Sequence, residues 1–535
     1  MNSFFQKVFE IPIVILLAAN IIVGLFIFRD YGYSWDEPLF YNYGNALGYA
    51  YSPSEWFSGH FDVTNSYGAS ADDHKTRGPA YLLLSRQPVY LLEGLGLDEA
   101  SAWHLINFLF FQLGVYFVYR LSRRWVKPTA ALATSALFAW QPMLWGHAFI
   151  NPKDPPFLTF FLASVCLGFE MVDRLSQNGK PNLSTIIIPA LILGITTSVR
   201  ILGPLAGLLV LVYFLFVIYT QGNLHDVKPW SVFFAYGMIA ILTMFLTWPY
   251  LWENPVARFF DVFRFMSDNP TNLSVLFGGQ VYRASDLPRR YLPFMLATTL
   301  TEPVWILFLI GVIAGYAQLI KQNASKAGTA FDWKLIDKNM ISLTLVLLWF
   351  LIPVAYVLLR KPAMYDGIRH FLFILPPIFI FIGFTFASIL EYNTRYWLRA
   401  AIIFLFLWPG VQQIVRLHPY EYTYYNLFIG GTDNAFRNYE TDYWLTCYKD
   451  AVRRLNLTYD PARLYVHREA YIAAYYANKN ITVKELRGAA SEVQRGDYVL
   501  VNTRTNEDRR IWKDVLPLIQ IQRGKALFCM IKKVP

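Results

Sequence analysis

The chain has 535 residues, of which 55% are hydrophobic, 18% aromatic and only 16% charged, against roughly 25% charged residues in an ordinary soluble domain. With a mean hydropathy of +0.32, this composition predicts a membrane protein with many spans and excludes a soluble enzyme with one large core. The formal net charge is +10. Because the basic residues lie in short segments between apolar runs, the charge indicates membrane topology and argues against nucleic acid binding.

Membrane spans are predicted from apolar runs of about 20 residues, the length that a helix needs to cross a bilayer. The first run has no small-residue cleavage site before Arg29, so we expect a span there and not a removed signal peptide. Residues 79–97 are apolar but are interrupted by Arg86, Pro88 and Glu93, which predicts a helix on the membrane surface. The predicted spans, about eleven in number, lie near 8–28, 103–121, 129–148, 157–173, 184–199, 201–219, 230–247, 299–319, 341–359, 370–389 and 398–415.

The orientation of the chain is predicted from the basic residues that follow alternate spans. The positive-inside rule places these segments and the N-terminus in the cytoplasm, so we expect an N-in, C-out protein of the plasma or inner membrane. The basic segments are 119–127, 173–180, 320–326 and 392–399, and the segments that then face outward are 29–102, 149–156, 248–298, 360–369 and everything after 416.

The composition changes at about residue 416. The stretches "ARLYVH", "ITVKEL", "DYVLVN" and "ALFCMIKKV" are typical of short strands, and "REAYIAAYYA" is typical of a helix between the first two. We therefore predict a polytopic α-helical membrane region over 1–415 and a small extracytoplasmic α/β domain over 416–535. Of the three cysteines, Cys447 and Cys529 can form a disulfide if both face an oxidising compartment, and the spacing gives no zinc motif.

Two predicted outer loops each carry an acidic residue beside the membrane. Asp36 and Glu37 lie in "DYGYSWDEPL" after the first span, and Lys153 and Asp154 lie in "FINPKDPPF" after the third. Such a carboxylate can act as a general base, hold a divalent cation or be a solvated loop residue. Rigid neighbours (tryptophan and prolines) and the repetition in two loops favour a functional role, and Asp36 and Asp154 are the candidates for a metal ion.

Basic residues on the same predicted side supply complementary charge. A charged arginine side chain within the membrane has a high free-energy cost, so its presence indicates a function. The alternative is a structural arginine whose long side chain places its charged group at the membrane–water interface. These cations can bind a phosphate headgroup, because an arginine can donate two parallel hydrogen bonds to it and a lysine offers a compact positive charge. The candidates are His74, Lys75, Arg77, Lys153, Arg200, Arg369 and His370.

Acids and cations together at the outer leaflet predict a reaction on a lipid phosphate. An acceptor would attack an activated sugar carbon, and the phosphate would leave. A base would take the proton of the acceptor, and cations would stabilise the negative charge that develops on the departing phosphate. The sequence has neither a P-loop nor a GxGxxG after a strand, which fits a lipid-borne donor.

The stretches "SWDE", "NPKDPP", "RHFLFILPP" and "YYNLFIGG…NYETDYWLTCYKDA" resemble the C-type membrane glycosyltransferases. Within them, the chain resembles bacterial members of glycosyltransferase family 39, the relatives of protein O-mannosyltransferases and lipid A aminoarabinose transferases. The resemblance implies a polyprenyl-phosphate sugar donor, an inverting transfer, an outward active site and a lipid, glycan or protein acceptor.

The resemblance also implies roles for individual residues. Asp36 would be the base or acid next to the reacting sugar with Glu37 beside it, and Asp154 would help to place the acceptor or a metal. Lys75 resembles the phosphate-binding lysine of the aminoarabinose branch. Arg200 and Arg369 would be further headgroup contacts.

Two other functions fit the same composition. A transporter or flippase for a lipid-linked saccharide would need charges deep within its spans, whereas the candidates here lie at the borders of loops and membrane. A polysaccharide ligase or polymerase shares the type of donor but uses lipid diphosphate oligosaccharides.

Overall fold

The protein is mainly helical, and its computed structural model describes residues 2–69, 74–176, 182–268, 273–327, 337–392, 395–459 and 461–535. Helices of seven or more residues in these ranges are numbered in chain order. They are α1 Asn2–Ile27, α2 Glu37–Ala50, α3 Ala80–Gly94, α4 Glu99–Ser122, α5 Pro128–Ala139, α6 Pro142–Ile150, α7 Asp154–Leu175, α8 Leu183–Val199, α9 Pro204–Thr220, α10 Val227–Leu246, α11 Pro255–Asp268, α12 Tyr291–Thr299, α13 Pro303–Ala327, α14 Lys338–Arg360, α15 Pro376–Tyr392, α16 Tyr396–Leu417, α17 Tyr448–Thr458 and α18 Ala470–Tyr476.

Each predicted span coincides with a helix, except that the predicted span at 129–148 is two helices, α5 and α6. The chain breaks there because Pro142 has no N–H to continue a helix, and the buried Gln141 side chain bonds Leu137 O and Thr301 Oγ1 instead. Within the described residues, six helices are long and apolar enough to cross a membrane, namely α4, α7, α10, α13, α14 and α16, and five apolar helices are shorter. The count of about eleven spans and their orientation stay predictions.

Helix α7 lies at the centre of the helical region. The apolar window of α7 is 89% buried and that of α4 is 72% buried, whereas those of α10 and α16 are 17% and 11% buried. Helices α4 and α7 pack together, and α8 packs on both α7 and α10. The exposed apolar side chains of the outer helices are therefore the surface that meets lipid in a membrane.

The predicted surface segment is helix α3, and its membrane position stays a prediction. The turn before α3 packs tightly on the C-terminal end of α8. A Cβ at Gly78 would lie 1.5 Å from Ser198 O, so only glycine permits this approach. The close contact brings the turn that contains His74 and Arg77 beside Arg200, which follows α8.

The C-terminal part forms a five-stranded sheet, which follows a separate hairpin earlier in the chain. The hairpin consists of β1 Ser274–Phe277 and β2 Gln280–Arg283, and the strands of the sheet are β3 Arg463–Val466, β4 Thr482–Glu485, β5 Tyr498–Asn502, β6 Pro517–Arg523 and β7 Ala526–Lys533. Their order in the sheet is β4-β3-β5-β7-β6. Strands β3, β4 and β5 are parallel, and β7 pairs antiparallel with both β5 and β6. The four predicted strands and the helix α18 between β3 and β4 are confirmed.

Strand β6 and the hairpin were not predicted, although the sequence contains a signal for each. The stretch "PLIQIQR" alternates between apolar and polar residues, as expected for a half-buried strand. Gly278 and Gly279 have φ of 61° and 77°, and a Gly-Gly pair with positive φ is typical of a two-residue hairpin turn.

A disulfide joins Cys447, just before α17, to Cys529 on β7, with a Cα–Cα distance of 6.2 Å. Both residues are fully buried. The pairing that the sequence left open is therefore formed, and it ties α17 to the sheet.

The sheet domain covers the segment after α1. The Tyr471 hydroxyl donates to Trp35 O at 2.5 Å, and Tyr33 N donates to Tyr476 Oη at 2.9 Å. Arg504 Cζ lies 4.5 Å from the centre of the Trp35 ring. Helix α18 and the loop after β5 thus fix the backbone on which Asp36 and Glu37 are placed.

Candidate active site

The stretch "SWDE" is a helix start that points its two acids in different directions. Ser34 Oγ donates to Ile150 O at 2.9 Å, and Ser34 N donates to Glu37 Oε2 at 2.6 Å. A serine followed three residues later by a glutamate that bonds back to the serine N–H is half of a capping box. Asp36 occupies the N-cap position of α2 and its side chain makes no capping bond, so it is left to reach outward.

Glu37 faces the interior of the helical region. It is fully buried, accepts from Tyr41 Oη at 2.5 Å and lies 3.0 Å from His104 Nε2. The structure therefore does not bring Glu37 into the group of residues around Asp36. Its contacts are those of a residue that fixes the start of α2 against α4.

Asp36 pairs with Arg369, which lies 333 positions later in the chain. The Asp36 Oδ2–Arg369 Nη1 distance is 3.0 Å, and the Asp36 side chain is 21% exposed while that of Arg369 is 5% exposed. Asp154 Oδ2 approaches the same Nη1 at 3.7 Å. One guanidinium thus brings together the acids of two loops that are far apart in sequence.

Asp154 is held by a turn that the sequence "NPKD" specifies. Asn151 Oδ1 accepts from Lys153 N at 3.1 Å and from Asp154 N at 2.9 Å, and Asn151 Nδ2 donates to Asp154 Oδ2 at 2.9 Å. Asparagine commonly forms such turns with the backbone that follows it. Asp154 is 2% exposed and also forms an ion pair with Arg200, so it is less accessible than Asp36.

A tight turn before Arg369 aims this residue at the acids. Asp366 and Gly367 have φ of 56° and 67°, a conformation that glycine and, less often, aspartate adopt. Asp366 Oδ2 lies 3.1 Å from Arg369 Nη2. The rings of Tyr365 and Trp444 lie 5.1 and 5.0 Å from Arg369 Cζ, which holds the guanidinium by cation–π contacts.

Three of the predicted cations surround the ring of Phe40, one helical turn after Asp36. The His74 ring centre is 4.8 Å from the Phe40 ring, Lys153 Nζ is 5.3 Å away and Arg77 Cζ is 5.8 Å away. The predicted headgroup contacts therefore come together next to Asp36.

The remaining predicted cations lie at the edges of this cluster. The Lys75 side chain is half-buried and its carbonyl accepts from Trp248 Nε1 at 3.4 Å. The His370 ring lies against Tyr365 with 4.7 Å between ring centres. Arg200 Cζ lies 5.8 Å from the centre of the Phe157 ring.

The electrostatic balance of the cluster is positive. Burial alone would raise the pKa of Asp36, but Arg369, followed by Arg77, His74 and Lys153, lowers it below its usual value. Burial lowers the pKa of Lys153 far below its usual value, and Arg77 and Arg200 lower it further. Asp36 is therefore an ionised carboxylate at neutral pH, whereas burial first and the neighbouring cations second disfavour the charged form of Lys153.

Asp366, Trp444 and Arg504 were not predicted as site residues. Trp444 Nε1 donates to Asp366 Oδ2 at 3.2 Å, and Arg504 Nη2 donates to Asp366 Oδ1 at 2.7 Å. The sequence signals for this group are the Asp-Gly pair at 366–367, which is typical of a turn, and the position of Trp444 within the stretch "NYETDYWLTCYKDA" that carries the resemblance. Arg504 lies in a stretch of the sheet domain that carries no motif.

Asp36 and Asp154 are the predicted ligands of a divalent cation. Among the described residues, no group of three or more His, Cys, Asp or Glu side chains is close enough to hold a metal ion. Asp36 and Asp154 instead pair with guanidinium groups. A cation held by Asp36 and Asp154 stays a prediction.

Comparison with known proteins gives a match in structure alone. No protein-family model and no curated protein matches the sequence. Among the solved structures, the chain is similar to the oligosaccharyltransferase of Archaeoglobus fulgidus in its apo form, with a TM-score of 0.51 and 11% identity over 95% of this chain and 71% of that chain. At this identity the similarity shows a shared fold and does not single out glycosyltransferase family 39.

Proposed function

We propose that this protein is an integral membrane glycosyltransferase. It transfers a sugar from a polyprenyl-phosphate donor to an acceptor on the extracytoplasmic face, with inversion at the sugar carbon and with Asp36 as the base. The fold shared with an oligosaccharyltransferase supports a membrane glycosyltransferase in general terms. The donor, the base and the side of the membrane are inferred from the cluster around Asp36.

The contrast between Asp36 and Asp154 carries the assignment of the base. Both approach Arg369 Nη1, but the side chain of Asp36 is 21% exposed and that of Asp154 is 2% exposed. A general base must come within hydrogen-bond reach of the acceptor hydroxyl. Asp36 is the more accessible of the two to an acceptor, while Asp154, paired with Arg200 and Asn151, keeps Arg369 in place.

The surplus of positive charge supports a phosphate as the leaving group. Burial and the nearby Arg369 and Arg77 lower the pKa of Arg200 to about 9. The Nε atoms of Arg200 and Arg369 are buried and have no hydrogen-bond partner in the described part of the chain. A bound phosphate would accept from such donors and would offset the repulsion among the cations.

Phosphate binding also affects Asp36. The cations lower the pKa of Asp36, and the negative phosphodiester of a bound donor beside them would cancel part of this effect. The pKa of Asp36 then rises toward the operating pH once donor is bound, which makes the carboxylate a better base when acceptor arrives. The donor would thus activate the base that completes the reaction.

Contacts at the opposite ends of α4 and α7 support the N-in layout. The basic ends of these helices join through Arg120–Glu170 and Arg124–Asp173 ion pairs, so segments predicted to be cytoplasmic lie together. Asp36 and Asp154 lie together at the other end. The Cys447–Cys529 disulfide supports an oxidising compartment for the sheet domain over 416–535.

The Asp36→Asn variant tests the proposal, with Asp62→Asn in the same outer segment as the matched control. We expect transfer from a lipid-phosphate sugar to fall by about 10²–10⁴, the usual contribution of a general base, while donor binding stays close to that of the wild type. Full turnover of purified Asp36→Asn protein would show that Asp36 is not the base. Movement of lipid across the bilayer without any glycosidic product would instead indicate a flippase.

A ligase that transfers an oligosaccharide is the second candidate, because the structural match is an oligosaccharyltransferase. The mass of the product distinguishes the two functions. Transfer of one sugar residue supports the monosaccharide transferase, and transfer of a preassembled chain supports the ligase.

A further inference from the structure

A charged cavity, separate from the cluster around Asp36, lies between the helical region and the sheet domain. Its volume is about 320 Å³, the lower end of the range for small-molecule sites. It is bordered by the segment that follows α1, the turn that follows α3, the N-terminus of α4 and helices α17 and α18. Its lining residues are Arg29, Gly96, Leu97, Asp98, Ser101, Lys449, Arg453 and Tyr476.

The cavity is rich in cations. Lys449 is 4% exposed, and its Nζ donates to Tyr31 O at 2.8 Å and to Arg29 O. Arg453 follows Lys449 by four residues on α17, so both occupy the same face of that helix. Within the described residues, the guanidinium groups of Arg29 and Arg453 form no ion pair.

The one acidic residue among those that line the cavity already accepts hydrogen bonds from within the protein. Asp98 caps α4, because Oδ1 accepts from Ser101 N at 3.1 Å and Oδ2 accepts from Ser101 Oγ at 2.6 Å. Three cations against one acid leave a positive surplus inside the cavity. Burial lowers the pKa of Lys449 to about 8 and Arg453 lowers it further, while the weaker effects of Asp450, Asp98 and Asp30 raise it.

This cavity is distinct from the cluster around Asp36. None of its lining residues contacts Arg369, Asp36 or Asp154. Its location also suggests where its ligand comes from. Arg29 follows α1, the first predicted span, and Gly96 follows α3, the predicted surface helix, so the cavity opens at the predicted border of the bilayer.

We propose that this cavity binds a phosphate group. Two guanidinium groups and an ammonium group around a pocket of this size match the tetrahedral oxygens of a phosphate ester. The position of Arg29 favours the headgroup of an anionic phospholipid, and free phosphate offers the same chemistry. The inference does not depend on the proposed transfer reaction, because it is tested by binding without turnover.

Arg453→Gln tests the proposal, because Arg453 is exposed and its loss leaves the buried bonds of Lys449 intact. Arg454→Gln is the matched control, since Arg454 is the next residue on α17 and donates to Gln520 O outside the cavity. Full-length protein in detergent is titrated with phosphatidylglycerol and, separately, with inorganic phosphate, and bound ligand is counted by native mass spectrometry.

We expect Arg453→Gln to bind phosphatidylglycerol about tenfold more weakly than wild type, the loss expected for one charge-assisted hydrogen bond, and Arg454→Gln to bind like the wild type. The same pattern with inorganic phosphate alone would support the site and assign it to free phosphate esters. If neither ligand depends on Arg453, or if both variants lose binding equally, the proposal is wrong.

Discussion

Arg504 Nη2 donates to Asp366 Oδ1 at 2.7 Å, and both side chains are fully buried. Asp366 in turn lies 3.1 Å from Arg369, the residue that pairs with Asp36. A residue of the sheet domain therefore supports the candidate active site of the helical region through two ion pairs. The sheet domain is part of the machinery that positions Asp36, and its removal would take away one of the two arginines that pair with the buried Asp366.

Arg504→Met is expected to destabilise the protein by about 3 kcal/mol, because it removes the buried partner of Glu440 and one of the two arginines that pair with Asp366. The measurement is the Tm of purified protein by intrinsic fluorescence. Lys484→Met is the control, since its ion pair with Glu492 is exposed, and its Tm should match that of the wild type. Equal Tm values for both variants would contradict a structural role for Arg504.

Arg369→Met is expected to shift the acid limb of the kcat/KM profile to higher pH. Arg369 is the largest cause that lowers the pKa of Asp36, and Arg77 is the next. A base must be deprotonated, so activity is lost as pH falls through its pKa, and a higher pKa moves this loss upward. Arg77→Met should shift the limb in the same direction by less. An unchanged limb in both variants would mean that another group is the base.

Glu37→Gln is expected to act on stability and to lower the free energy of unfolding by about 1–3 kcal/mol, the cost of disrupting buried hydrogen bonds. Glu37 accepts from Ser34 N and Tyr41 Oη and is fully buried. Asp36→Asn should change Tm less, because Asp36 is partly exposed. Thermal unfolding of the two variants side by side separates these roles, and a larger loss of Tm in Asp36→Asn would reverse them.

Loss of the Cys447–Cys529 disulfide is expected to destabilise the sheet domain. The bond spans 82 residues, and in the chain-entropy model a loop of that length corresponds to about 4 kcal/mol. Cys447→Ser should lower Tm, and reduction of the wild type should lower it as well. Thiol labelling of denatured protein checks the bond directly: before reduction only Cys166 should react, and labelling of all three cysteines would show that the bond does not form.

The stability of the protein is expected to fall as pH rises through the pKa of His418. Although burial lowers this pKa, Glu421 and Asp30, at 2.8 and 2.9 Å from the ring nitrogens, raise it above its usual value. A cation also lies nearby, since Arg523 Nε donates to the backbone carbonyl of His418 at 2.8 Å. A raised pKa in the folded state means that the stabilisation is complete below the unfolded pKa, about 6.5, and is lost as the ring deprotonates above it.

A series of Tm measurements from pH 5.5 to 8.5 checks this expectation in the wild type and in His418→Gln. The difference in Tm between the two should shrink as pH rises. A difference that stays constant across the series would show that His418 contributes by packing and not by charge.

The sequence by itself determined the helices, because each long apolar run has a single way to satisfy its backbone in a membrane. It also determined the sheet domain, whose strands show their own periodicity, and the local turns at "SWDE" and "NPKD". It identified Asp36, Asp154, Arg77, Lys153, Arg200 and Arg369 as candidates, since charged residues at the border of an apolar run are costly without a purpose.

The tertiary structure alone decided which of these residues meet. Asp36 and Arg369 are 333 positions apart, and no local pattern encodes a contact across that distance. Asp36 and Glu37 are adjacent in sequence, yet the capping bond to Ser34 N turns Glu37 into the interior and leaves Asp36 at the site. Arg504 has no motif, and its role depends on the docking of the sheet domain onto the helices, where burial makes its pairing with Asp366 obligatory.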